Sequence, residues 1–233
     1  MKAIRRDRLR FHRSRSFVPP LPTLPFLNIE RLQKMNDRTT GSEAAAEGEG
    51  TMLKLYLVRH GETRWNQENR VLGRTDIPLN ERGIAQAQAL GAKLADVHFD
   101  HVYCSPLSRA KETAAQIVAA QKGTGTPDPV EAAELIEMNF GTCEGLLRNS
   151  EAYQTEKHRY FTRYPEGESF LDIAARIYPY LRKLRREHDG ETILLVTHNG
   201  ICRMITSYFQ PMSNEGFETF AQGNAEEQIF VMP

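Results

Sequence analysis

Two histidines stand in matching positions at the ends of two apolar, strand-like runs. The runs LVRHG (57–61) and LVTHNG (195–200) each pass from an apolar strand through a polar residue to a histidine and a turn that contains glycine. All strands of a parallel sheet end at one edge, so His60 and His198 face one crevice if their strands are neighbours. Helices that begin at this edge offer unpaired N–H groups and a partial positive charge, which favour an anionic ligand.

Two arginines add positive charge to the same predicted crevice. Arg59 precedes His60, and Arg109 lies in the first turn of a helix that begins near Ser105-Pro106. A cation is unfavourable near a helix N-terminus, so an anionic ligand explains Arg109 better than helix stability does. The alternative is that Arg109 forms a surface salt bridge, for example with Glu112.

One acid is a candidate proton donor. Glu137 is flanked by apolar residues in the run LIEMNFG (135–141). Partial burial raises the pKa of a carboxyl group towards neutrality, which suits a general acid. Glu134 and Glu144 are close by in the chain, and spacing alone does not choose among the three acids.

The elements that must position these residues alternate between strand and helix. The strands are predicted at Leu53–Val58, His101–Cys104, Val130–Ile136, Ile193–Val196 and Gln228–Met232, and the main helices at about Asn80–Ala95, Leu107–Ala120, Phe170–Glu187 and 199–209. In the long helix, Leu171, Ile177 and Leu181 recur at helical spacing. This order predicts an α/β fold: a three-layer sandwich with a mostly parallel sheet and helices on both faces.

Composition narrows the possible classes of protein. The 233 residues are 40% hydrophobic and 26% charged, which is enough apolar material for an ordinary globular core. Thirty basic residues balance thirty acidic ones, which argues against a nucleic-acid partner. No apolar run approaches the roughly 18–20 residues of a membrane span, so we expect no membrane partner. The three scattered cysteines favour a reducing, cytoplasmic location.

Residue types that bind metals form no recognisable motif. The cysteines Cys104, Cys143 and Cys202 are too few and too scattered for a disulfide framework, and neither CxxC nor HExxH occurs. The other five histidines lie in polar, helical or tail contexts, and structural roles are predicted for them: His12, His98, His101, His158 and His188. We therefore predict no metal site.

Residues 1–51 differ in composition from the rest of the chain. They hold ten Lys and Arg against six Asp and Glu, with a Pro-rich stretch and then a run rich in Gly, Ser, Ala and Glu. Three alternatives fit: a transit peptide, a basic arm for an acidic partner or membrane surface, and a poorly ordered extension before Met52. Composition favours the third. We predict a disordered basic, Pro-rich extension over 1–51 and one domain over 52–233.

Taken in order, the motifs resemble those of the histidine phosphatase superfamily, also called phosphoglycerate-mutase-like. The resemblance covers about residues 53–230 and rests on LVRHGET (57–63), SPLxRAxxTA (105–114), ExxxGxxEG (137–145), PxGES (165–169) and THxG (197–200). The ordered set is specific to this family, whereas Arg-His-Gly alone is a weak signal.

The resemblance implies a role for each of the catalytic candidates. His60 matches the nucleophile, which is phosphorylated on nitrogen and then hydrolysed. Arg59, Arg109 and His198 match the residues that form the phosphate pocket with it. Glu137 matches the position of the proton donor, which resolves the choice among the three acids.

The resemblance also bears on substrate binding. Asn66 is implied to line the pocket entrance, and we expect Gly73 and Asn199 to contribute to substrate binding as well. The ligand would be a small-molecule phosphate ester, with no cofactor and no metal. A monomer or a homodimer is expected.

The length of the predicted cap favours a hydrolase. Only nineteen residues, Leu146 to Tyr164, separate Gly145 from Pro165, and the resemblance implies a longer insertion there in phosphoglycerate mutases. A short cap lets water reach a phosphohistidine. We predict a metal-independent phosphomonoesterase of the phosphatase branch. The alternatives are a phosphoglycerate mutase and a non-catalytic phospholigand-binding protein.

Overall fold

The computed structural model describes residues 52–123 and 125–232, so the extension predicted over 1–51 lies outside the described residues. The helices and strands, in chain order, are β1 (Leu53–Arg59), α1 (Arg64–Gln67), α2 (Glu81–Lys93), β2 (His101–Cys104), α3 (Ser108–Ala119), β3 (Val130–Glu131), α4 (Glu151–Lys157), α5 (Phe170–Glu187), β4 (Thr192–Thr197), α6 (Asn199–Phe209), α7 (Asn214–Thr219) and β5 (Glu227–Met232). Single 3₁₀ turns cover Ala133–Leu135 and Gly141–Cys143.

The strands form one sheet in the order β3-β2-β4-β1-β5. Strands β1 to β4 run parallel, and β5 pairs antiparallel with β1 at the edge. This confirms the predicted mostly parallel sheet. Strands β1 and β4 are neighbours at its centre, and their side chains are buried almost throughout. Burial on both faces is why these two segments read as nearly continuous apolar runs.

Helices cover both faces of the sheet, which confirms the predicted three-layer sandwich. Successive side chains of a strand point to opposite faces, so Leu57 packs into one core with α5 and α6, while Val58 packs into another with α2 and α3. No helix within the described ranges is both long enough and apolar enough to cross a membrane.

The predicted short cap, residues 146–164, contains a single two-turn helix, α4. Two of its tyrosines, Tyr153 and Tyr164, are each 5% exposed and pack against Phe140. Their burial anchors the cap to the domain.

Two details of the predicted elements are wrong. The strand predicted over Val130–Ile136 ends at Glu131. The last hydrogen bond to β2 is donated by Ala132 N to Cys104 O, and the next three residues form a 3₁₀ turn. Leu171, which the helical spacing places with Ile177 and Leu181 on the apolar face of α5, is instead 55% exposed. The buried face of the helix contains Ile173. A separation of two residues is about 200° around a helix, which places Leu171 on the opposite side.

Candidate active site

The two histidines predicted to face one crevice lie side by side. Arg59 and Thr197 are opposite each other in the β1–β4 register, and the next residue on each strand is a histidine. The backbone N–H of His60 donates to Thr197 O at 2.9 Å. The ring centroids of His60 and His198 are 5.0 Å apart, and both side chains are buried.

The His60 ring is held in one tautomer. Its Nδ1 lies 2.7 Å from Gly61 O, and because a carbonyl oxygen only accepts, Nδ1 carries the proton. Nε2 therefore has the lone pair, and it has no hydrogen-bond partner among the described residues. Burial, followed by the positive charges of Arg109 and Arg59, holds the pKa of His60 well below its usual value. The ring is neutral near pH 7, with Nε2 available as a nucleophile.

The turn after His60 has room only for glycine. A Cβ on Gly61 would lie 2.4 Å from Gly83 O, in the first turn of α2. The backbone N–H of Gly61 donates to Thr113 Oγ1 at 3.1 Å, which ties the turn to α3. These contacts fix the carbonyl that orients the histidine ring.

Arg109 is fully buried and points into the crevice from the first turn of α3. Its NH2 donates to Gly73 O at 2.7 Å and its NH1 to Thr75 O at 3.1 Å. Arg109 makes no surface salt bridge with Glu112 among the described residues; its ion pair is a long one, from buried NH1 to Asp76 Oδ1 at 3.9 Å. Burial lowers the pKa of Arg109 to about 10, so the guanidinium is still charged at neutral pH. A buried cation at a helix N-terminus is costly, and an anionic ligand would offset that cost.

Both ring nitrogens of His198 are engaged. Nδ1 accepts from Arg109 Nε at 3.3 Å, and Nε2 lies 2.7 Å from Ser105 Oγ. Since the arginine only donates, the proton of the neutral ring is on Nε2, which donates to the serine. Burial and the charge of Arg109 hold the pKa of His198 well below its usual value. Of the two histidines, only His60 presents a free lone pair.

The Arg59 guanidinium is only partly hydrogen-bonded among the described residues. NH1 donates to Gln222 O at 2.6 Å, whereas Nε is buried and has no hydrogen-bond partner among the described residues. Gln222 is 1% exposed and donates to Leu57 O and Glu226 O, so it locks the loop that holds the guanidinium. A buried N–H of a cation needs an acceptor, and a phosphate oxygen would supply one.

Glu137 lies just beyond the first 3₁₀ turn, at 4% exposure. Its Oε1 accepts from Met138 N at 2.8 Å and its Oε2 from Gly200 N at 3.2 Å. These two bonds favour the carboxylate, but the larger effect is burial, which raises the pKa of Glu137. The group is therefore suited to carry a proton nearer neutral pH than an exposed glutamate.

Glu144, a competitor for the acid role, is committed to another task. Its carboxylate accepts from the backbone N–H groups of Arg74 and Thr75 at 2.8 Å each and from the Thr75 hydroxyl at 2.5 Å. It thereby fixes the loop whose carbonyls at Gly73 and Thr75 hold Arg109. The sequence identified Glu144 only as a candidate acid, and this bracing role was missed.

The three predicted substrate-binding residues have different surroundings. Asn66 forms a capping box with Thr63 at the start of α1. Gly73 supplies a carbonyl to Arg109, and Asn199 Oδ1 accepts from Gln222 N at 3.0 Å. Asn199 also lines a pocket beside Glu137. Contact of these residues with substrate remains a prediction.

The pocket beside Glu137 has a volume of about 70 Å³ and a cationic lining. Arg148, Lys157 and Arg203 line it, together with aromatic rings from the cap and from the domain below it. Within the described residues, the Arg148 and Lys157 side chains have no acid partner. Arg203 Nε is buried without a hydrogen-bond partner there. A second anionic group would fit this pocket.

Comparison with known proteins defines the class to which this fold and site belong. The model of the histidine phosphatase superfamily (branch 1) matches residues 55–232. The chain therefore belongs to this superfamily, as the motifs predicted.

Individual relatives are similar along most of their length. A metal-independent phosphoserine phosphatase of Arabidopsis thaliana is 33% identical over 181 residues, covering 72% of this chain and 73% of that protein. A 2,3-bisphosphoglycerate-dependent phosphoglycerate mutase of Bartonella tribocorum is 33% identical over 172 residues, covering 69% and 83%. The crystal structure of an alpha-ribazole phosphatase from Shigella flexneri is 30% identical with a TM-score of 0.65, covering 77% and 93%. The chain is an enzyme of the phosphatase or mutase type.

Proposed function

We propose that this protein is a metal-independent phosphomonoesterase that acts on small organic phosphate esters through a phosphohistidine at His60. The observation that carries the proposal is the neutral His60 ring with its free Nε2, placed beside a buried Arg59 Nε that has no acceptor. A nucleophile and an unmet donor in one crevice suit a phosphoryl group that is attacked by the first and held by the second.

In the first half-reaction, His60 Nε2 attacks phosphorus and the bond from phosphorus to the ester oxygen breaks. Glu137 gives its proton to the departing alkoxide, which leaves as the free alcohol. Arg59 and Arg109 neutralise the negative charge that spreads over the phosphoryl oxygens. In this scheme their charges do the work that a divalent cation does in other phosphoryl-transfer enzymes.

In the second half-reaction, water replaces the alcohol. The Glu137 carboxylate takes a proton from the water, whose oxygen attacks phosphorus while the Nε2–phosphorus bond breaks. Inorganic phosphate leaves, His60 regains its lone pair and Glu137 is protonated again. Water is the one co-substrate, and no cofactor is consumed.

The cationic pocket supports a substrate with a second anionic group next to the ester. Arg148, Lys157 and Arg203 lie on the side of the site where the leaving group is protonated by Glu137. The names of the two curated relatives mention phosphoserine and phosphoglycerate, and both compounds carry a carboxylate. We therefore propose phosphorylated hydroxy acids and amino acids as the substrate class.

A phosphoglycerate mutase is the second candidate, because the same cations could hold the second phosphate of a bisphosphoglycerate. The short cap favours hydrolysis, since α4 is the one helix between Leu146 and Tyr164. Incubation with 3-phosphoglycerate and a trace of 2,3-bisphosphoglycerate separates the two. We expect inorganic phosphate as the main product, and formation of 2-phosphoglycerate at a greater rate would overturn the hydrolase.

A matched pair of substrates tests the anionic pocket. Glycerol 3-phosphate differs from 3-phosphoglycerate only by a CH₂OH group in place of the carboxylate. We expect the carboxylate substrate to have the higher kcat/KM, and Arg148→Met to reduce that advantage by about tenfold, as loss of a charge-assisted hydrogen bond should. Arg159, an exposed arginine paired with Glu156, provides the control Arg159→Met, which should leave the ratio unchanged. Equal kcat/KM for both substrates would refute the substrate class, while phosphate release from either would still support the phosphatase.

A further inference from the structure

Two histidines and a glutamate cluster at the edge of the sheet opposite the active site. His101 is the first residue of β2, His188 directly follows the last residue of α5, and Glu191 lies in the turn just before β4. Strands β2 and β4 are parallel neighbours, with His101 opposite Ile193. The cluster therefore sits at the amino ends of the strands, whereas His60 and His198 follow their carboxyl ends.

The three side chains converge on one point. His101 Nε2 is 3.0 Å from Glu191 Oε2, and His188 Nδ1 is 2.7 Å from the same oxygen. The two imidazole centroids are 4.1 Å apart. One ligand atom from each residue lies within 4.8 Å of those of the other two.

The geometry points to a binding site for a divalent transition metal, with Zn²⁺ as the first candidate, held by His101 Nε2, His188 Nδ1 and the Glu191 carboxylate. Two imidazole nitrogens and one carboxylate are a typical donor set for zinc, whereas Mg²⁺ and Ca²⁺ prefer oxygen alone. Ligand atoms on a tetrahedral zinc lie about 3.3 Å apart, since each bond is about 2.0–2.1 Å. The observed separations are close enough that small side-chain rotations would bring all three onto one ion.

A second observation, independent of the ligand atoms, supports the site. The other nitrogen of His188, Nε2, lies 3.1 Å from the hydroxyl of Tyr103. A histidine that binds a metal through one nitrogen normally makes a hydrogen bond through the other, which fixes the ring for coordination. With Nδ1 on the metal, the proton sits on Nε2 and is donated to Tyr103.

The backbone around the cluster is fixed and its entrance is open. Lys54 N donates to Glu191 O at 2.9 Å, which ties the turn to β1. His188 is mostly buried, whereas the His101 and Glu191 side chains are 37% and 39% exposed. An ion can therefore enter from solvent, and water can complete its coordination. Bound metal would link β2, α5 and β4, so its effect should be on stability rather than on turnover.

Zinc titration of the full chain by calorimetry, in a buffer free of phosphate and chelators, tests the proposal. We expect His101→Ala and Glu191→Gln each to bind one equivalent of Zn²⁺ less than the unmodified protein. We expect the rise in melting temperature with Zn²⁺ to be lost in both. Tyr103→Phe should keep the site but weaken it by about 10- to 100-fold.

His98, which is exposed and lies 3.3 Å from Asp100, provides the matched control. His98→Ala should bind zinc as the unmodified protein does. Unchanged stoichiometry and affinity in both His101→Ala and Glu191→Gln would overturn the site, even if their melting temperatures fell in the absence of zinc. Cobalt in place of zinc gives a further check, because an intense thiolate band would mean that cysteine, rather than this cluster, binds the metal.

Discussion

His60 and His198 follow residues that are paired across two parallel strands, so that their rings lie 5.0 Å apart at one sheet edge. Their hydrogen bonds nevertheless give them different capacities. His60 uses only Nδ1, on Gly61 O, while His198 uses both nitrogens, on Arg109 and Ser105. The strand register brings two imidazoles together, and the bonds around them leave one as the nucleophile.

Ser105 should act as a positioning residue, because its hydroxyl oxygen accepts the hydrogen bond from His198 Nε2 and so holds the ring in place. We expect Ser105→Ala to lower kcat by about tenfold, in line with the loss of one buried hydrogen bond. Ser207 in α6 also loses a hydrogen bond when changed to alanine, but it contacts Tyr178 rather than the site. Ser207→Ala is therefore the control, and an equal loss of kcat in both variants would mean that Ser105 only supports the fold.

Glu137→Gln should lower kcat/KM, which reports the first half-reaction, far more for esters with poor leaving groups than for those with good ones. Loss of a general acid costs on the order of 100-fold when the leaving alkoxide must be protonated. An aryl ester such as a nitrophenyl phosphate needs little help in its first step. Glu134→Gln is the matched control, since that side chain is nearby in the chain and makes no hydrogen bond among the described residues. An equal fall in kcat/KM for both leaving groups would remove Glu137 from the acid role.

Gly200→Ala should displace the acid without changing its charge. A Cβ at this position would lie 2.6 Å from Glu137 Oε1. Misplacement of a catalytic group by about 1 Å lowers rates on the order of 100-fold, so we expect kcat for alkyl esters to fall by 10- to 100-fold. Gly123 has nothing within 4 Å of its added Cβ among the described residues, and Gly123→Ala should behave as the unmodified protein. Full activity of Gly200→Ala would mean that the carboxylate position is not critical.

The pH dependence of activity should reflect a lowered pKa at His60 and a raised pKa at Glu137. His60 attacks as the neutral ring, and its lowered pKa keeps it neutral below the usual value of about 6.5. Activity should therefore persist as the pH falls through 6. Glu137 must be protonated to donate, so activity on alkyl esters should fall as the pH rises through its raised pKa.

Proton NMR of the His60 ring in the free enzyme measures the first shift without interference from substrate ionisation. The His60→Ala variant assigns the signal. A His60 titration centred near 6.5 would contradict the electrostatic effect of Arg109 and Arg59.

The sequence predicts the strand-end histidines well, because a repeated pattern of apolar run, histidine and glycine turn is a local signal. The adjacency of β1 and β4, however, is a property of the whole sheet. From the sequence, the two histidines could be predicted to share a crevice only if their strands were neighbours. Likewise, Arg109 could be placed near the crevice by its helix, but its partners at Gly73 and Thr75 come from a loop without periodicity.

The roles of Glu144, Ser105 and Gln222 could not be derived in this way. Each acts through hydrogen bonds between residues far apart in the chain, and the type of residue alone does not show which partner it has. The cap tyrosines illustrate the same limit. Tyr153 and Tyr164 pack against Phe140 and also line the pocket beside Glu137, and their residue type alone predicts neither role.

Trapping the covalent intermediate decides whether His60 is the nucleophile. A ³²P-labelled nitrophenyl phosphate is mixed with the Glu137→Gln variant, in which the water attack should be slow, and the reaction is quenched within milliseconds. We expect label on the peptide that contains His60, stable in base and lost in acid, and no label in His60→Ala. Label that survives acid, or that resides on His198 or any other residue, would contradict the mechanism.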